Sequence, residues 1–161
     1  MPSKNLVRRW RFLLAIAACG LTFGCGKREH WMTDTYPASG VVTVNGEKAE
    51  GAIVMLFPTS SPVDLRNSKP WGVVGVDGVY QLGTYEQRDG APSGEYDVTL
   101  VWSTGLTPDR LKGAYSNPSR AVMQVTINSE TNELPPIELS GVSVLAKPTG
   151  DSSLRSIGVN N

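Results

Sequence analysis

The segment from Gly94 to Trp102, GEYDVTLVW, restricts the fold more than any other part of this chain. Tyr96, Val98, Leu100 and Trp102 alternate with Glu95, Asp97, Thr99 and Val101. A period of two sends successive side chains to opposite faces, as in a strand with one side buried. Gly94 opens the run and Ser103-Thr104-Gly105 closes it. The aromatic and aliphatic set is therefore expected to face a core, and the rest of the chain to pack against it.

Other stretches repeat the pattern. Val41–Val44 precedes Asn45-Gly46, a pair that tolerates positive φ and favours tight turns. Ala52–Phe57 follows Gly51 and ends at Pro58, and it is expected to pair antiparallel with Val41–Val44. Residues 58–70 have no periodicity and read as a loop. Trp71–Val76 and Val79–Leu82 flank Asp77-Gly78 as the arms of a two-residue hairpin. Residues 84–93 form another loop.

The 103–120 connection contains a helical turn with Thr107 as N-cap, Pro108 at the first position and Gly113 as its stop. Ala121–Ile127 is a further alternating strand. Leu134–Leu139 is the last, placed at an edge because Pro135 and Pro136 have no N–H to donate to a ladder. Residues 141–161 read as a weakly ordered tail, with one short strand allowed at Val142–Leu145.

Seven such strands, punctuated by a chain holding 17 Gly and 11 Pro, predict an all-β fold. The specific expectation is a seven-stranded antiparallel β-sandwich over residues 37–140, preceded by a signal segment. By strand parity, the 103–120 loop lies at the same end as the Asn45-Gly46 and Asp77-Gly78 turns.

The N-terminus has a different character. Residues 1–11 are basic, residues 12–24 are apolar and small, and the chain turns polar at Gly26, which is the layout of an export signal over residues 1–24. The apolar run is shorter than the roughly 20 residues of a transmembrane helix. A cysteine behind small residues is similar to the lipobox of bacterial lipoproteins, whose cysteine takes a diacylglycerol. Ile16-Ala17-Ala18-Cys19 fits the short pattern well, but Cys25 stands at the apolar-to-polar boundary, so Cys25 is the lipidation site and Cys19 the alternative. Residues 25–36 then form a tether. By the same resemblance, Gly26 in place of Asp points to the outer membrane or cell surface. Removing residues 1–24 leaves 11 basic against 15 acidic residues, a net charge of −4. That balance argues against nucleic acid as a partner.

Several stretches together carry a family resemblance. They are Ser39–Gly46 with Gly51-Ala52 and Phe57-Pro58, Asp77–Tyr80, Asp89–Thr99, Pro108–Gly113 with Tyr115-Ser116, and Asn132–Ile137. Residues 36–140 thereby resemble the transthyretin-like, carboxypeptidase-regulatory-like β-sandwiches of small bacterial lipoproteins, with an immunoglobulin-like layout. The resemblance implies a fold and a surface location, since most members lack an assigned activity. The tail beyond Gly141 departs from the pattern.

The residues suggest little chemistry. His30 is the sole histidine and sits in the tether, so the domain cannot build a Ser-His-Asp triad or a His-rich zinc site. Gly72, Gly75 and Gly78 are spaced as strand and turn glycines rather than as a phosphate loop. Asp77 reads as a turn residue before a calcium ligand. Trp71 and Trp102 are placed either to stack on a sugar or to fill the core. Asp109, Arg110, Lys112 and Tyr115 are the candidate binding residues. No catalytic residue, metal or cofactor is expected. The partners expected are the membrane, through the N-terminal lipid, and an envelope protein or glycan. The function expected is scaffolding or binding by a non-catalytic module, with a carbohydrate- or protein-binding adhesin as the alternative.

Overall fold

Runs of β-branched and aromatic residues cut by Gly, Pro and Asx turns favour pleated backbone over helix. The computed structural model describes residues 29–103 and 107–147. Of two compact units, Met1–His30 and Trp31–Asn161, the second holds all the described strands. In chain order these are β1 (Thr35–Tyr36), β2 (Ala38–Val44), β3 (Glu47–Lys48), β4 (Ile53–Pro58), β5 (Trp71–Val73), β6 (Val79–Gln81), β7 (Ala91–Pro92), β8 (Gly94–Val101), β9 (Met123–Ile127), β10 (Asn132–Glu133) and β11 (Ile137–Leu139). The helix among the described residues is a single 3₁₀ turn, Pro118–Arg120, capped by the Asn117 side chain. The chain is all-β.

One sheet is antiparallel in the order β5-β4-β8-β9. Its register sets Val98 between Leu56 and Met123, and Tyr96 between Pro58 and Val125. The other is built on β2. Along one edge of β2 run β6 and then β3, and Val42 joins them by donating to Gly78 O and accepting from Ala49 N–H. Along the opposite edge run β10 and β11, both parallel to β2. A two-stranded β1–β7 pair completes the set.

Inward side chains from both sheets share one core, with Val42, Val44 and Tyr80 from the β2 sheet and Val54, Leu56, Val98 and Leu100 from the other. Tyr96, Val98 and Leu100 are fully buried and Trp102 nearly so, as the alternation predicted. Each contributes about 1.5–3 kcal/mol through the apolar surface it withdraws from water.

The structure corrects the predicted pairing at four places. Val41–Val44 does not pair with Ala52–Phe57: Asn45 and Gly46, at φ 53° and 82°, close a hairpin onto β3 alone. The Ala49–Ala52 turn, with both alanines buried and Gly51 at φ 80°, then carries the chain to the other sheet. The Asp77-Gly78 turn forms, with Gly78 donating to Gly75 O and Asp77 Oδ1 accepting from Val79 N–H. Its arms stay bridged, by Gly75 N–H on Val79 O and by the antiparallel Trp71–Gly83 pair, but β5 takes its ladder partner in β4 and β6 in β2. The third correction concerns strand direction. The return to β2 is parallel, so the architecture is not wholly antiparallel; Pro135-Pro136 falls in the gap between β10 and β11.

The fourth is the helical turn predicted at Thr107–Gly113, which is a series of β-turns because Lys112 and Gly113 sit at φ 56° and 71°. Two segments read as loose are also tied down. Residues 31–36 of the tether pack on the domain, and Val142 and Val144 of the tail lie against the core without forming a strand. Cys19, Cys25 and residues 148–161 lie outside the described residues.

Candidate functional site

The predicted binding cluster is brought together, and its side chains are engaged within the chain. The Asp109 carboxylate accepts backbone N–H groups from Trp102, Leu111 and Gly113 at 2.8, 3.0 and 2.8 Å. A short acidic side chain can organise a turn in this way because it replaces three backbone acceptors at once. Arg110 stacks 3.7 Å from the centre of the Trp102 ring, and its Nε donates to Leu145 O at 2.9 Å. Lys112 Nζ donates to Ser143 Oγ at 2.9 Å. Tyr115 is half-buried against the core, and its carbonyl accepts from Leu100 N–H at 3.0 Å. These residues fasten the 107–116 loop to β8 and the tail to the loop.

A second aromatic cluster joins the start of the domain to two loops. The Trp31 and Tyr85 rings meet edge to face, with centroids 5.4 Å apart, and the Arg66 guanidinium lies 3.8 Å over Trp31. The Tyr85 hydroxyl donates to Asp64 Oδ2 at 2.9 Å and accepts from Thr33 N–H at 3.1 Å. Burial alone would raise the Asp64 carboxyl, but hydrogen bonds from Ser68, Tyr85 and Arg66 hold it below its ordinary value. Burial, and then the facing Asp64 carboxylate, push the Tyr85 phenol up. Sequence reasoning missed this cluster because the residues involved are separated by long loops.

The exposed apolar side chains concentrate elsewhere. In β5 the inward position is Gly72, and Trp71 and Val73 point outward at 48% and 51% exposure. In β6 Tyr80 points inward while Val79 and Gln81 face out. Val76 at the turn is 77% exposed, and Val41 stands beside Val79 on the same outer face. Trp71, Val73, Val76 and Val79 line an open cleft of about 990 Å³, at the upper end of the size range of small-ligand sites. Exposed Gln81, Glu86, Gln87 and Arg88 supply its polar rim. The rim is shaped by Asp89, whose carboxylate accepts from Thr84 and Tyr85 N–H, and by Gly83, where a Cβ would run into Glu86 O.

The two tryptophans therefore separate. Trp102 is core, with its indole N–H donating to Glu50 O at 2.9 Å, and Trp71 is a platform open to solvent. The signal for Trp71 was present in the sequence: glycine holds the alternate positions of Trp71-Gly72-Val73, so the bulky residues have no inward role.

Among the described residues no three His, Cys, Asp or Glu side chains gather into a metal-holding group, and no helix is long and apolar enough to cross a membrane. Comparison with family models, curated proteins and solved structures found no match.

Proposed function

We propose that this chain is a lipid-anchored protein of the cell envelope whose β-sandwich binds or scaffolds without catalysing a reaction. The export-signal layout of residues 1–24, with Cys25 or its alternative Cys19 as the acylated residue, supports the anchor. The transthyretin-like sandwich is supported by two sheets sharing one core, and by seven strands of three residues or more that fall on the seven predicted stretches. The observation that carries the binding role is that four exposed apolar side chains, Trp71, Val73, Val76 and Val79, line one cleft, since contiguous exposed apolar surface marks interaction sites. Cell fractionation with intact-mass analysis of wild type, Cys25→Ala and Cys19→Ala tests the anchor. Membrane association and acyl mass should vanish in Cys25→Ala alone; soluble wild-type protein without added mass would defeat the reading.

A carbohydrate-binding adhesin is the second reading, favoured by the half-exposed Trp71 ring beside Gln81 and Gln87. An aromatic face and planar amides suit the CH faces and hydroxyls of a sugar. Calorimetry with soluble oligosaccharides should show heat that Trp71→Ala abolishes. Heat that persists unchanged in that variant would move the ligand elsewhere.

A further inference from the structure

We propose that the 59–70 loop is a second membrane contact, in which Leu65 enters the headgroup layer of an anionic bilayer next to the acyl anchor and fixes how the domain stands on the membrane. This rests on the lipid-anchor reading above. Asp64 N-caps a tight turn: its Oδ1 accepts from Arg66 N–H at 2.8 Å and Ser68 N–H at 3.1 Å, and its carbonyl accepts from Asn67 N–H at 3.2 Å. Leu65 stands at the tip of that turn and is 82% exposed, more than any other exposed large hydrophobic residue described. The tip is held in place from the side by Tyr85 on Asp64 and by Thr33 Oγ1 on Val63 O at 2.7 Å.

Two further facts identify the occupant. The first is chain length. Arg66 stacks on Trp31, so the chain leaves the domain beside this loop, and Trp31 stands six positions after Cys25. Six residues fully extended span at most about 20 Å. The second is charge. Arg66 and Lys69 outweigh Asp64 in a chain whose net charge from residue 25 onward is −4. This loop is thus a cationic spot on an acidic protein, where approach to an anionic surface is least opposed. One leucine and two cations would not hold a free domain on a bilayer. A short tether makes the contact intramolecular, however, and its effective concentration lets a weak second attachment fill.

The test uses full-length, acylated protein in vesicles of phosphatidylethanolamine and phosphatidylglycerol. With Cys25 acylated and the residues before it removed, Leu65→Cys carries the one free thiol for an environment-sensitive fluorophore; Glu47→Cys, at the exposed β2–β3 turn, is the control. Lipid-borne quenchers should extinguish the label at position 65 and leave that at position 47 bright. The quenching should weaken in vesicles of phosphatidylcholine alone. An acylated protein whose two labels respond alike overturns the loop contact and leaves the anchor standing. A protein whose mass shows no acyl chains overturns both.

Discussion

Strand β5 and the segment of β8 continued to Trp102 each carry a tryptophan on an alternating run, and the two end in opposite surroundings. On β8 and its continuation, Tyr96, Val98, Leu100 and Trp102 all lie within the core. On β5, Trp71 and Val73 face water and Gly72 faces in. The difference lies in position. β8 is central, with β4 on one side and β9 on the other, whereas β5 is a three-residue edge strand whose inward position, Gly72, lies directly against the Gln81 backbone. Alternation therefore says that two faces differ, and neighbours decide which face is dry.

The contrast can be broken most directly at the tryptophans. Trp102→Ala should cost about 3–5 kcal/mol in urea unfolding, the range for emptying a large aromatic site; a loss below 1 kcal/mol would put Trp102 outside the core. Alkaline titration tests the inward side of β6. Burial pushes the Tyr80 phenol up to about 12, and burial raises Tyr96 as well. Because the core accepts the neutral phenol, this contribution is complete below the unfolded value of 10.0 and is lost as the pH rises through about 12. Tyr80→Phe should flatten that part of the stability–pH curve, and an unchanged slope would contradict its burial.

Smaller effects separate structural residues from binding ones. Asp109→Ala should cost about 1.5–3 kcal/mol, since it strips a charged acceptor from three backbone donors. A variant of native stability would restore Asp109 as a binding candidate. Gly72→Ala sets a Cβ 2.5 Å from Gln81 O, so β5 and β6 must part, at about 1–3 kcal/mol measured by thermal unfolding. Trp71→Ala should change stability by no more than about 0.5 kcal/mol. A large loss there would make Trp71 structural and remove the platform.

Much of the strand set was legible from the residues. Period-two runs bounded by Gly and Pro located β2, β4, β8 and β9, and Asn45-Gly46 was correctly read as a tight turn. Asp109 was read as a candidate binding residue, and only the fold shows that its carboxylate reaches back to Trp102 N–H and holds a turn. Likewise, Arg110 and Lys112 resemble solvent-facing charges until the tail is seen lying across them. The outer apolar face escaped notice because Val41 and Val79 are far apart in sequence and become neighbours only through the β2–β6 register.

By itself the sequence determined where the backbone extends and turns, through steric preferences of β-branched residues, Gly and Pro that act over a few positions. Tertiary structure decided which strands pair, as when the chain leaves β3 for the opposite sheet and later returns parallel to β2. A strand's edge groups bond any suitable partner, and the choice falls to whichever arrangement buries Tyr80, Tyr96, Leu56 and their neighbours together.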